Sequence, residues 1–337
     1  MTRPNGSFGV DIIGSGSGLP ETRLTNADLE KVMDTSDEWI TKRTGIKERR
    51  KADIANGELS STLAIKALNA ALEDAGITKD DLDMILVATM TPDMPTPSVA
   101  CVVARKIGAG NIAAIDINGA CSGFIYTISM ANAMIQAGPY KTIAVIGADT
   151  LTRYVDYSTE GRTSAILFGD AAAALILRRT DDTSRGLIAH RMHTDGEGSK
   201  HLYIPSSEFD IPEDSEYRVE MCNRVQMNGQ AVFKFAVSKF QQVIGDTLAD
   251  AGLTADDVDH FVCHQANSRI LDSARDRFGI PSEKLLINID RYGNTVAASA
   301  PLVFTELAKS GQIKPGNKVM FLAFGAGLTW GSSLWQL

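Results

Sequence analysis

One cysteine sits where a thiol can do chemistry. Cys121 stands in DINGACSGFIYTI (116–128), where an apolar approach, NIAAIDI, passes through Gly119 and small residues into a helical pattern. A thiol at a helix N-terminus meets the positive end of the helix dipole and unpaired backbone N–H groups, which favour the thiolate and lower its pKa. Free cysteine is also an ordinary small buried residue, so position carries the argument. Gly119, Ala120, Ser122 and Gly123 leave room for a substrate to approach. Cys101 falls in a helical pattern, Cys222 in a charged segment and Cys263 in an apolar strand run, so Cys121 is the candidate nucleophile. His264, in HFVCHQANSRI, ends a strand run, where functional residues of open α/β sheets gather. His190, His193, His201 and His260 lie in or beside polar segments and read as solvated. Asn294, in RYGNT, follows a glycine at a strand-to-helix corner. Gly-Asn is also simple turn chemistry, and alone neither His264 nor Asn294 settles a role.

The elements that would bring these residues together come from an internal repeat. ALEDAGITKDDLDMILVAT (71–89) and TLADAGLTADDVDHFVCHQ (247–265) align without gaps at an offset of 176, with eight of nineteen positions identical. Each copy reads as a helix closed by a glycine, an acidic turn and a β-branched strand. More loosely, each half continues as a helix (PSVACVVARKIG; NSRILDSARDRFG), a strand (AAIDI; LLINI), a corner (at Cys121; at RYGNT), a helix and a final strand (TIAVIGAD; KVMFLAFGAG). This β-α-β-α-β order predicts mostly parallel strands covered by helices on both faces, in two halves, 1–180 and 181–337. TSAILFGD and AAAALILRR predict an antiparallel hairpin about the FGD turn. The polar segment 181–217 reads as a surface linker that shapes the entrance to a site. Two duplicated halves place equivalent corners beside a shared pseudo-twofold axis, so the partners of Cys121 need not be its neighbours in sequence.

Composition bounds the rest. The chain has 337 residues, 44% apolar and 22% charged, with net charge -8, which argues against a general nucleic-acid binder; KERRK (47–51) is the densest basic run. No segment offers about 18 uninterrupted apolar residues for a membrane span, and MTRPNGSFGV lacks a signal-peptide core. Four cysteines without a CxxC pair fit a reducing cytoplasm better than a disulfide or zinc framework. GAGNIA (108–113) matches a dinucleotide-binding pattern but follows a helix and leads into a strand, the reverse of the required order. GxxxxGK[ST], HExxH and GxSxG do not occur.

Taken together, GACSGF, HQANSRI, YGNTVAASAP, FGAGLTWGS and the leading DTSDEWITKRTGI resemble β-ketoacyl-acyl-carrier-protein synthase III, a condensing enzyme of the thiolase superfamily. The resemblance runs over nearly the whole chain and is weakest at 181–227. It implies a thiolase-like, five-layer αβαβα fold made of two duplicated halves. It implies that Cys121 takes an acyl group from acyl-CoA, and that His264 and Asn294 hydrogen-bond the malonyl thioester as CO2 leaves. The backbone N–H groups of Cys121 and Ala326 would form the acyl oxyanion hole. The family usually has glycine at the latter position, so the hole requires that Ala326 avoid positive φ. Trp39, Arg43, Arg162 and Asn267 match coenzyme A contacts, although Trp39 and Arg43 by themselves read as a core residue and a solvated one. Gln265, Ala266, Asn267, Ser268 and Arg269 match a segment associated with docking of the acyl carrier protein. Because both proteins are acidic, docking needs a local basic patch, for which Arg269, Arg275 and Arg277 are candidates. Thr96, in the stiff loop TPDMPTPSVAC, matches a position that closes the acyl pocket of a dimer partner. The resemblance further implies a homodimer and no metal or organic redox cofactor, because CO2 loss drives bond formation.

Other readings are weaker. A thiolase needs a second reactive cysteine near FGAGLTWGS, and a hydroxymethylglutaryl-CoA synthase a catalytic glutamate in the first half; Glu48, Glu58 and Glu73 carry no such motif. A cysteine hydrolase leaves the duplication unexplained, and an inactive scaffold leaves three intact catalytic positions unexplained. A relative in secondary metabolism, with a different primer or acceptor, fits the same residues.

Overall fold

The computed structural model describes residues 8–213 and 219–337. The first half supplies a five-stranded sheet from β1 (Gly9–Gly18), β2 (Met84–Ala88), β3 (Ala113–Ile117), β4 (Thr142–Asp149) and β5 (Ala171–Thr180), in the order β1-β5-β4-β2-β3. The second supplies β6 (Gly186–Thr194), β7 (His260–Cys263), β8 (Lys318–Gly325) and β9 (Thr329–Gln336), in the order β7-β8-β9-β6. The change of sheet falls between Thr180 and Gly186.

The helices fall into three layers. Helices α1 (Asp37–Thr44), α2 (Ser60–Asp74), α3 (Val99–Ile107) and α4 (Gly123–Ala137) belong to the first half, and α5 (Gly229–Ala251), α6 (Ser268–Phe278) and α7 (Ser299–Lys309) to the second. Leu63 and Leu68 of α2 and Val103 of α3 pack on Ile85, Val87 and Ile146, on one face of the first sheet. Phe240 of α5 and Ile270 of α6 pack on Phe261 and Leu322, on one face of the second. Between the sheets, Phe124 and Ile128 of α4 and Val303 and Phe304 of α7 meet Leu86, Val145, Val262 and Phe321. The result is αβαβα. Position explains why α4 is apolar nearly all round, since both its faces are buried. Two of its hydroxyls are satisfied within the helix: Thr127 Oγ1 donates to the Gly123 carbonyl at 2.7 Å and Ser129 Oγ to that of Ile125 at 2.9 Å.

The identical residues of the repeat do identical work. Thr78 N–H and Oγ1 donate to the Asp81 carboxylate at 2.9 and 3.1 Å, and Thr254 does the same to Asp257 at 2.8 Å for both bonds. Asp83 Oδ2 accepts from Thr142 N at 2.8 Å and Asp259 Oδ2 from Lys318 N at 2.7 Å, which sets the register between paired parallel strands in each half.

Four expectations need correction. Each sheet is mixed: β2 pairs in parallel with β3 and β4, but β4-β5 and β5-β1 are antiparallel, as are β8-β9 and β9-β6. TSAILFGD is no hairpin arm; Arg162–Ala165 is a helical turn, and β5 pairs with β4 instead. Segment 181–217 is no plain linker, since it contains β6; its residues 214–217 lie outside the described residues. LLINI forms no strand. The buried Gln265 side chain takes that place, donating to the Leu286 carbonyl at 3.3 Å and accepting from Asn288 N at 3.1 Å, so the segment bonds to an amide side chain rather than to β7.

Candidate active site

Cys121 sits in a single 3-10 turn, Ala120–Ser122, that joins β3 to α4. The Asn118 side chain shapes the turn: its Oδ1 accepts from Ala120 N at 3.3 Å, and Ala120 takes φ +46°. The thiol is 7% exposed and packs among Leu151, Val155, Ile166, Phe168 and Val296. Here the structure reverses the electrostatic expectation. Burial, with the Asp149 carboxylate second, pushes the thiol up to about 12, so it is protonated at neutral pH. The helix dipole does not overcome desolvation.

His264 leaves the end of β7 with its backbone N–H on the Leu322 carbonyl at 2.7 Å, and its ring meets Phe324 edge-on. It is 1% exposed, and burial lowers its pKa to about 3, leaving it neutral. By distance and angle neither ring nitrogen has a hydrogen-bond partner among the described residues, although the Val296 backbone beside the ring counteracts part of the burial effect. Two unpartnered nitrogens in a buried ring are costly unless a ligand supplies the partners. Asn294 is held between the halves: its N–H donates to Leu167 O at 2.8 Å and its carbonyl accepts from Gly169 N at 2.9 Å. Its Oδ1 accepts from Val296 N at 2.9 Å, which leaves the amide Nδ2 as the donor to offer. Cys121, His264 and Asn294 line one cavity of about 600 Å³, which Trp39, Arg43 and Asn267 also line.

Two family models match: 3-oxoacyl-[acyl-carrier-protein] synthase III over residues 115–196, and the C-terminal part of the same family over 248–337. A β-ketoacyl-[acyl-carrier-protein] synthase III of Caldanaerobacter subterraneus subsp. tengcongensis is 46% identical over 323 residues, 96% of each chain. The chain belongs to this synthase III family. Crystal structures of synthase III from Aquifex aeolicus (40% identity, TM-score 0.89, covering 98% of this chain and 100% of that one) and Thermus thermophilus (39%, 0.90, 97% and 98%) share its thiolase-like fold. As a synthase III it is a condensing acyltransferase.

The residues suggested by the synthase III resemblance fall into distinct places. The Arg43 and Arg162 guanidinium carbons lie 4.8 and 5.3 Å from the centre of the Trp39 ring, a cation–π cluster. Arg162 donates to the Asp34 carbonyl at 2.7 Å and does not line the cavity. Asn267 caps α6 through Arg269 N at 3.0 Å and donates to the Arg43 carbonyl at 3.0 Å, tying α6 to the end of α1. Gln265 is fully buried, so its side chain cannot meet a docking protein; Ala266, Asn267 and Ser268 are half-buried and Arg269 is exposed. Arg275 pairs with Asp272 at 3.0 Å. Ala326 follows Gly325 and does not take positive φ, which meets the condition set for it. Thr96 is exposed and lies outside this chain's cavity, whereas Leu202, from the 181–217 segment, and Phe168 line it. His260 is not solvated: it is 9% exposed, with Nε2 3.2 Å from the Gln312 carbonyl.

Three supporting residues were not singled out in the sequence. Arg49, within KERRK, is fully buried; it donates to Leu24 O at 3.1 Å, Asn26 Oδ1 at 2.9 Å and Ile166 O at 2.7 Å, beneath the segment that pairs with Asn294. Asp149 ends β4, where a charge closing the apolar run TIAVIGAD was the available signal. Gly325 abuts Cys121, and only its place in a glycine-containing turn marked it.

Proposed function

We propose that this protein catalyses the decarboxylative condensation that initiates fatty-acid synthesis. An acyl group passes from acyl-CoA to Cys121, with the thiol proton leaving on the coenzyme A sulfur. Malonyl-acyl carrier protein then loses CO2, and the resulting enolate carbon attacks the Cys121 thioester. This expels the thiolate and gives 3-oxoacyl-acyl carrier protein. The observation that carries the reading is the convergence of Cys121, His264 and Asn294, three buried residues from both halves, on one cavity. The unpartnered His264 ring and the Asn294 Nδ2 are donors suited to the malonyl carbonyl, where enolate charge develops. Cys121 N and Ala326 N serve the acyl thioester. Trp39, Arg43, Arg162 and Asn267 contact coenzyme A, and the exposed face around Arg269 meets the carrier protein.

The protein acts as a homodimer in the cytoplasm, a setting supported by four free cysteines. In the dimer Thr96 closes the partner's acyl pocket. Sedimentation should show the dimer, and a fully active monomer of 36.2 kDa would overturn it. Incubation with acyl-CoA and malonyl-carrier protein should yield 3-oxoacyl-carrier protein and CO2. Acylation of Cys121 without condensation, or hydrolysis of the acyl-CoA instead, would defeat the main reading.

A further inference from the structure

The repeat, at an offset of 176 residues, extends into the active site and exposes a second, altered copy of it. Strands β4 and β8 correspond residue for residue, as do the turns Ala120–Ser122 and Val296–Ala298. Asn118 therefore corresponds to Asn294, Cys121 to Ala297, and Asp149 to Gly325. The two corners share one construction. Each asparagine Oδ1 accepts from the backbone N–H two residues on, and that residue takes positive φ, +46° at Ala120 and +54° at Val296.

They differ in what lies over the next N–H. At the working corner Gly325 has no side chain to cover the Cys121 N–H, and both residues line the cavity. At the sister corner the Asp149 carboxylate sits on the N–H of Ala297, at 3.2 Å. Its other oxygen accepts from Met90 N at 2.9 Å and from the hydroxyls of Thr91 at 2.8 Å and Thr89 at 3.2 Å. All four contacts are donors. A carboxylate satisfies them; an amide presents its own N–H groups to some of them. Burial raises Asp149 to about 6, so at neutral pH it is an anion.

We propose that Asp149 is a positioning residue for decarboxylation, a built-in anion that fills the sister oxyanion hole and fixes the corner that carries Asn294. Ala297 directly follows Val296, whose N–H holds Asn294 Oδ1, so anchoring Ala297 fixes which end of the Asn294 amide faces the cavity. The inference rests on the proposed role of Asn294 in the condensation.

The test separates the two half-reactions in Asp149→Asn. Acylation of Cys121 by acetyl-CoA, followed by mass, should be kept or quickened, since the variant removes the Asp149 charge that raises the thiol pKa, while CO2 release from malonyl-carrier protein by the acylated enzyme should fall at least about tenfold, less than the roughly 100- to 1000-fold for removing such a donor outright. Equal loss of both steps, or of neither, would overturn the assignment. Should Asp149→Asn not fold, Thr89→Val carries the test, since it removes one donor and keeps the carboxylate. It should show a smaller loss in the same direction, and an unchanged ratio of the two steps would overturn the idea. Failure of the unmodified protein to decarboxylate malonyl-carrier protein would instead strike the proposed function.

Discussion

Gly325 lies so close to Cys121 that a Cβ built on it would sit 2.7 Å from the Cys121 nitrogen and 3.0 Å from its Cβ. The last residue of β8, in the second half, thus forms one wall of the nucleophile's corner, in the first. Thr329 Oγ1 reinforces the contact, reaching the Gly119 carbonyl at 3.3 Å from the start of β9.

Gly325→Ala should therefore strike acyl transfer first. The added methyl meets backbone rather than a flexible side chain, so the corner must shift and the Cys121 N–H is displaced. Acylation should fall about 100-fold or more, the scale of losing one oxyanion donor. Single-turnover acylation with a thermal melt as control would check this, and normal acylation would remove Cys121 N from the hole.

The raised Cys121 pKa gives a pH signature. A thiol whose pKa is about 12 is almost wholly protonated at neutral pH, and its thiolate fraction grows about tenfold per pH unit up to that value. Alkylation by iodoacetamide in the empty enzyme should keep rising beyond pH 10, without a plateau near the ordinary thiol value. A plateau below pH 8 would show that the corner stabilises the thiolate after all. Acetyl-CoA should add one acyl mass to the peptide carrying Cys121, and Cys121→Ser should lose it; label on Cys101 or Cys263 would redirect the assignment.

His264→Ala should still accept the acyl group yet lose about 100- to 1000-fold in CO2 release, because enolate charge forms only in the second step. Neutral His264 needs no proton removed to serve as a donor, and with a pKa of about 3 it stays neutral well below pH 6. Decarboxylation should therefore show no acid limb from this residue between pH 5 and 8. Equal loss of both half-reactions in the variant would make His264 the base for Cys121.

Trp39→Ala should raise KM for acyl-CoA about 5- to 100-fold, the range for one base stacked on an aromatic ring, with kcat little changed. Steady-state kinetics at saturating malonyl-carrier protein would separate the two constants. A fall in kcat alone would return Trp39 to a structural part in α1.

Primer choice tests Thr96. Threonine at that position leaves more room than phenylalanine would, and each further buried CH2 contributes about 0.8 kcal/mol. Butyryl- or longer acyl-CoA should prime at least as well as acetyl-CoA, and Thr96→Phe should narrow use toward acetyl. Leu202 and Phe168, unlike Thr96, line the cavity from within one chain. Strict acetyl use by the unmodified protein would rule this out.

Local chemistry settled much of this protein in advance. The repeated Thr-Asp turns, the glycines that close helices, and the apolar runs specify the duplicated elements through short-range bonds, and GACSGF, HQANSRI and YGNT marked Cys121, His264 and Asn294. Long-range partners decided the rest. LLINI has strand composition, but the Gln265 amide takes the bonds a neighbouring strand would have offered. KERRK looks like a solvated run, yet Arg49 is drawn inside by three oxygens distant in sequence. The Cys121 corner has the helix start of a low-pKa thiol, yet only the packed structure shows the burial and the Asp149 charge that push it the other way. Desolvation and through-space charge depend on neighbours from both halves, and a sequence read along the chain does not contain those distances.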